Sequence, residues 1–194
     1  VKVIVEGANL YLSNGARSAL EELGVLIVKD SSANKCGVIC SSYEVLSGLS
    51  LGDELFLEHK ETLVSQILEK LRAAAENEAN LLVDTFAETN IPLTEISNEI
   101  SDRMNKYKYE ILESLMNIPL PKDESHPLNR IFFSYCLELL KDTYRKKLID
   151  EIPEMHKKAI IAAYIASQAI YKKKLNWSPS IVDILPLLMQ ELSH

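Results

Sequence analysis

The sequence predicts a mostly α-helical protein that opens with a small parallel α/β part. Two short apolar runs rich in β-branched residues, Val3-Ile4-Val5 and Val25-Leu26-Ile27-Val28, flank one helical stretch, Asn14 to Leu23, closed by Gly24. Strand, helix, strand in that order is a βαβ unit, whose strands pair in parallel. After Gly52 no glycine occurs, strand-like runs disappear, and the long segments repeat apolar residues at helical spacing. That change of character sets a boundary near residue 50, with an α/β part over 1–50 and a helical part over 51–194.

Taken in order, Val1 to Val5 is short and β-branched, as a buried parallel strand is. Ser13 or Asn14 can cap the helix that follows, since either side chain accepts a bond from an orphan N–H. Ala16, Leu20 and Leu23 share one face of that helix, with Arg17, Glu21 and Glu22 on the other. Asp30-Ser31-Ser32 turns the chain after the second strand, and Gly37 to Leu49 starts a helix that packs back on the α/β part. Asp53 to about Thr89 is a long helix, with Val64, Leu68, Leu71, Ala75, Ala79, Leu82 and Phe86 as its apolar stripe. Thr94 caps the next helix, whose stripe is Ile96, Ile100, Met104, Tyr107, Ile111 and Leu115. Pro119 and Pro121 break it, Pro127 suits a first helical position, and a further break falls near Ser134-Tyr135. Glu154 to Lys173 is apolar nearly all round its middle, the mark of a helix at the buried centre of a bundle. A last helix starts at Ser178-Pro179, and Pro186 kinks or breaks it.

Hydrophobic residues make up 47% of the chain and charged residues 25%, the balance of a globular protein and not of a disordered one. A formal net charge of -7 argues against nucleic acid or an anionic membrane as a general partner, because phosphate contacts need a basic surface. No run approaches the roughly 20 apolar residues of a membrane span. No basic segment leads into an apolar one, as in a secretory signal. Cys36, Cys40 and Cys136 are few and odd in number, which fits free thiols in a reducing, cytoplasmic setting. Together with His59, His126, His156 and His194 they form no zinc spacing, so no metal is expected. The chain opens at Val1 inside an apparent strand, and a lone βαβ unit cannot cover both faces of a parallel sheet. The expectation is a C-terminal piece of a longer protein.

Ligands of an open parallel sheet sit at the carboxyl ends of its strands. That rule puts Glu6-Gly7-Ala8-Asn9 and Ala33-Asn34-Lys35-Cys36-Gly37-Val38 side by side at one edge. Gly7 and Gly37 carry no Cβ and let the backbone pass close to a flat ligand. Asn9 and Asn34 each offer an amide donor and a carbonyl acceptor, which suits an amide- or hydroxyl-bearing ligand such as a nicotinamide riboside. The competing reading of Asn9 is a turn residue tolerating left-handed backbone. Glu6 reads as a brace for its loop, and Glu44 as a salt-bridge partner.

Glu-Gly-Ala-Asn after a strand, then Asp30, Ala33-Asn34 and Gly37-Val38, then Ser41 and Glu44, resemble in order and spacing the glutamate/leucine/phenylalanine/valine dehydrogenase family. Leu10-Tyr11-Leu12-Ser13 with Ala16-Arg17, the run Ile152 to Ala163, and Trp177 to Asp183 are most similar to its large-subunit NAD-specific glutamate dehydrogenases. The resemblance implies the last βαβ piece of a Rossmann-like NAD-binding domain followed by a helical bundle. It implies an enzyme that oxidises L-glutamate to 2-oxoglutarate and ammonia, with NAD as cofactor. By the same resemblance Asn9 and Asn34 contact the nicotinamide riboside end of NAD. Ser41 matches the serine that holds the substrate carboxylate, with Ser42 leaving the register open by one residue. Cys36 stands where the family usually has glycine. The lysine and aspartate that handle protons and the imine lie upstream, as does the glycine-rich loop, so no catalytic residue is expected here and the chain alone should be inactive. The full enzyme is expected to be a homo-oligomer. The alternative, from the weight of residues 53–194, is a helical interaction or oligomerisation module without its own catalysis.

Overall fold

The computed structural model describes residues 2–175, 177 and 183. Two strands, β1 (Val3–Val5) and β2 (Leu26–Val28), pair in parallel with Ile4 opposite Ile27. Helix α1 (Asn14–Glu22) forms the crossover between them. Ser13 is its cap, with the hydroxyl accepting from the Ala16 N–H at 3.2 Å, and Gly24 ends it at φ 80°. Two expectations fail here. Arg17 is buried and not outward-facing, whereas Leu23 is exposed, because the guanidinium turns inward to carboxylates beside the strands. Strand β1 is also largely exposed at Val3 and Val5, since it forms the edge of a sheet of two strands.

After β2 come the single turn α2 (Asp30–Ala33) and the long α3 (Cys36–Glu58). Gly52 interrupts α3 at φ 68° and ψ 177°, a conformation that costs any residue with a Cβ. Helix α4 (Lys60–Thr89) begins after His59. Its buried residues are Leu63, Ile67, Glu78, Leu81 and Leu82, while Val64 and Leu68 are exposed, so the predicted stripe is largely one residue out of register. The buried seam includes a carboxylate, Glu78, which a stripe traced through apolar residues such as Ala75 and Ala79 leaves out.

Helix α5 (Leu93–Met116) buries Ile96, Ile100, Tyr107, Ile111 and Leu115, as its periodicity predicts. Thr94 does not cap it. Thr94 lies inside the first turn, where its N–H and hydroxyl donate to Glu21 of α1 at 3.3 and 2.7 Å. An acidic side chain from elsewhere in the chain thus complements the positive end of the helix. Helix α6 (Pro127–Tyr135) starts at its proline and stops where Cys136 turns extended. Two short helices, α7 (Glu138–Thr143) and α8 (Arg145–Asp150), lead to α9 (Glu154–Lys173), which packs along α5 and α6 with Ile161, Ala162, Ile165, Ala166 and Ile170 buried. In the first turn of α9, Lys157 donates to the Ile149 carbonyl at the end of α8, and Lys158 to the Met116 carbonyl at the end of α5. Both bonds satisfy carbonyls that a helix end leaves open. Strand β2 lies against α5. The helix expected from Ser178 falls outside the described residues. Among the described residues, no helix is long and apolar enough to cross a membrane.

Candidate functional site

The parallel pairing of β1 and β2 brings their two following loops together. The first is anchored at Glu6, whose N–H continues the ladder to the Val28 carbonyl at 3.0 Å. Its carboxylate receives Arg17 through Nε at 2.8 Å and Nη2 at 3.2 Å, and the Leu12 N–H at 3.2 Å. Asp30, at the start of α2, lies 3.5 Å from the same guanidinium and receives the N–H groups of Leu10 and Ser31, each at 2.8 Å. Residues 7–12 are therefore strapped to one buried cluster of charge, with Leu10 held at φ 54° and its side chain in solvent. The Leu10 N–H, against the opposing effect of burial, holds the Asp30 carboxyl below the usual carboxylate range, helped by Ser31 and Arg17. The bond to Glu6 raises the Arg17 guanidinium. Glu6 is thus the brace its position predicts.

Asn34 ends α2 and reaches across to the first loop. Its Nδ2 donates to the Gly7 carbonyl at 3.3 Å and to Asn9 Oδ1 at 2.5 Å. The two predicted asparagines touch, as the sheet-edge argument requires. Asn34 Oδ1 and Asn9 Nδ2 have no partner among the described residues, leaving one acceptor and one amide donor at an open edge. That pair complements a carboxamide or a sugar hydroxyl. Nothing of the described chain lies within 4 Å of where a Cβ would stand on Gly7 or Gly37, so internal packing demands glycine at neither.

The second loop has its own buried anchor, which the sequence reading missed. Glu78 of α4 is 2% exposed and accepts from the Ser32 hydroxyl at 2.6 Å and from the Tyr171 hydroxyl at 2.8 Å. Lys35 pairs with the same carboxylate at 2.7 Å. Ser97 of α5 lies 2.6 Å from the Ser32 oxygen and 2.9 Å from that of Ser31. Because Ser32 spends its proton on Glu78, Ser97 donates to Ser32 and Ser31 donates to Ser97. Burial, reinforced by the Glu78 charge, pushes the Tyr171 phenol well above its ordinary range.

Ser41 lies in the second turn of α3, exposed and without a partner among the described residues. Its neighbour Ser42 accepts from the Tyr135 hydroxyl at 2.8 Å, beneath the stack of Tyr43 on Tyr135. The Cys36 thiol turns toward the Leu71 carbonyl of α4 at 3.7 Å. Among the described residues Glu44 meets the Cys40 thiol and not a cation; burial, with Glu44 beside it, raises that thiol. Arg17 had a signal, since it lies within the recognised motif between Glu6 and Asp30. Glu78 and Tyr171 had none beyond a lone acid in a long amphipathic helix.

The sequence profile of the Glutamate/Leucine/Phenylalanine/Valine dehydrogenase family matches residues 1–103, more than half of the chain, and this chain belongs to that family. Among curated proteins it is similar to Glutamate dehydrogenase 2 of Dictyostelium discoideum, with 33% identity over 186 residues and 90% of the chain covered. It is also similar to the Probable NAD-specific glutamate dehydrogenase of Schizosaccharomyces pombe and the NAD-specific glutamate dehydrogenase of Saccharomyces cerevisiae, each 29% identical, over 92% and 91% of the chain. The chain spans 17% of the length of each of these relatives. No solved structure matches it.

Proposed function

We propose that this chain is part of an NAD-dependent glutamate dehydrogenase, converting L-glutamate to 2-oxoglutarate and ammonia, and supplies contacts to the nicotinamide and to the substrate. In this reading residues 1–50 are the last βαβ piece of a Rossmann-like NAD-binding domain. Residues 51–194 are the helical bundle that braces it within a homo-oligomeric, cytoplasmic enzyme. The observation that carries the reading is the bond between Asn34 and Asn9 at the carboxyl ends of two parallel strands. Bound NAD supplies the hydride chemistry. Asn34 Oδ1 and Asn9 Nδ2 hold the carboxamide or ribose of its nicotinamide half and fix which face meets the amino acid. Ser41, the free hydroxyl of the serine pair, donates to the substrate carboxylate. The chain by itself is inactive, since it contributes positioning and no proton-transfer group.

Steady-state kinetics on the full-length enzyme, with NAD and glutamate both varied, tests the assignment. Asn34→Ala leaves ligand groups unpaired at a cost of about 1–3 kcal/mol, and misorientation makes part of that loss appear in kcat. Ser41→Ala raises the KM for glutamate and leaves that for NAD nearly unchanged, because a carboxylate contact acts on ground and transition states alike. If Ser41→Ala weakens NAD alone, or if neither variant moves any constant by more than about twofold, or 0.4 kcal/mol, the site is wrongly assigned.

A further inference from the structure

We propose that Glu78 is a positioning residue for the cofactor loop, acting through Ser32 and Lys35 on Asn34. This rests on the assignment of Asn34 to the nicotinamide. Asp30 and Ser31 anchor the start of the loop, and Ser32 and Lys35 tie down the stretch around Asn34. Helix α2 is four residues long with no side-chain cap, and Asn34 and Lys35 follow it directly into α3. Two groups that flank Asn34 in sequence, the Ser32 hydroxyl and the Lys35 ammonium, converge on the one carboxylate at 2.6 and 2.7 Å. That carboxylate is 2% exposed in the seam of α4, where an apolar residue would otherwise pack. A buried carboxylate is tolerated only when its acceptors are filled. Its partners come from the loop and from Tyr171 of α9, and Ser97 of α5 adds a hydroxyl to Ser32. Three helices are thereby tied to Ser32 and Lys35, two positions before and one position after Asn34. A shift of α9 or α5 against α4 alters the acceptor geometry of Glu78 and, with it, the angle at which Asn34 meets Asn9. The helical part thus reaches the cofactor through one side chain.

The test is Glu78→Gln in the full-length enzyme, alone and combined with Asn34→Ala. Glutamine keeps the volume and one acceptor but loses the Lys35 ion pair. The expected result is a fall of about tenfold in kcat/KM for NAD, with the KM for glutamate unchanged. If Glu78 acts through Asn34, adding Glu78→Gln to Asn34→Ala costs no more than about twofold further. Two effects that multiply overturn the proposal, because Glu78 then acts by another route or only on stability. Asn34→Ala without effect overturns the cofactor assignment and this inference together. An impaired Asn34→Ala beside a normal Glu78→Gln overturns this inference alone. If Glu78→Gln does not yield folded enzyme, Ser32→Ala removes one arm of the same connection, and its own double variant with Asn34→Ala decides by the same rule.

Discussion

Arg17→Met removes the cation at the centre of the first loop. Arg17 and its partner Glu6 are both nearly fully buried, at 4% and 1% side-chain exposure. Asp30 keeps two backbone donors after the change, so most of the loss falls on Glu6, which among the described residues keeps only the Leu12 N–H. Breaking a buried ion pair by removing one partner costs about 3–5 kcal/mol, and the donors left to Asp30 place this case near 3 kcal/mol. With urea slopes of about 1–3 kcal/mol per molar, the unfolding midpoint falls by roughly 1–3 M at unchanged slope. Hydrogen exchange localises the effect. The Leu10 and Leu12 amides, bonded to Asp30 and Glu6, exchange faster, while amides of α5 and α9 follow global unfolding. A loss under about 1 kcal/mol, the value of an exposed ion pair, refutes the reasoning, as does unchanged exchange at both amides.

Gly52→Ala places a Cβ at φ 68° and costs about 1–3 kcal/mol, which calorimetry reads as a lower Tm; an unchanged Tm means that α3 runs straight when it carries alanine. The His156 imidazole is pushed below its ordinary range by burial, and its Nε2 has no partner among the described residues. The unfolded chain therefore binds the proton more readily, and stability is full above pH of about 6.5 and falls as pH drops toward the folded value. His156→Phe removes that part of the slope between pH 7 and 5, and equal slopes in urea titrations of the two proteins refute it.

Much of the architecture is legible in the residues because local signals agreed with the fold. The stripe of α5, the limits of α9 and the break after Tyr135 follow from periodicity and proline placement. The meeting of Asn9 and Asn34 follows from one topological rule about parallel strands. What stayed hidden are polar residues whose partners are distant in sequence. Glu78 meets Ser32 from 46 residues away and Tyr171 from 93, and no local pattern encodes either distance. A stripe drawn through apolar residues alone passes Glu78 by and runs one position off at Val64 and Leu68, while Leu82 is buried as expected. Arg17 was set on the outer face of α1 for the same reason, because a charge is read as exposed until its counter-ions are known. Thr94, the expected cap, is itself the group that donates, and Glu21, read only as an outer-face residue of α1, accepts at the start of α5.

The adjacent lysines of α9 have a consequence for how the chain opens. Lys158 holds the end of α5 and Lys157 the end of α8, so the path from Asn117 to Ile152 leaves and returns to the same helical turn. The two ammonium groups act as a non-covalent clasp on a closed loop, and such closure lowers the entropy that the excursion can gain by fraying. Loss of the first turns of α9 would therefore release both ends of the segment that carries α6, α7 and α8 at once.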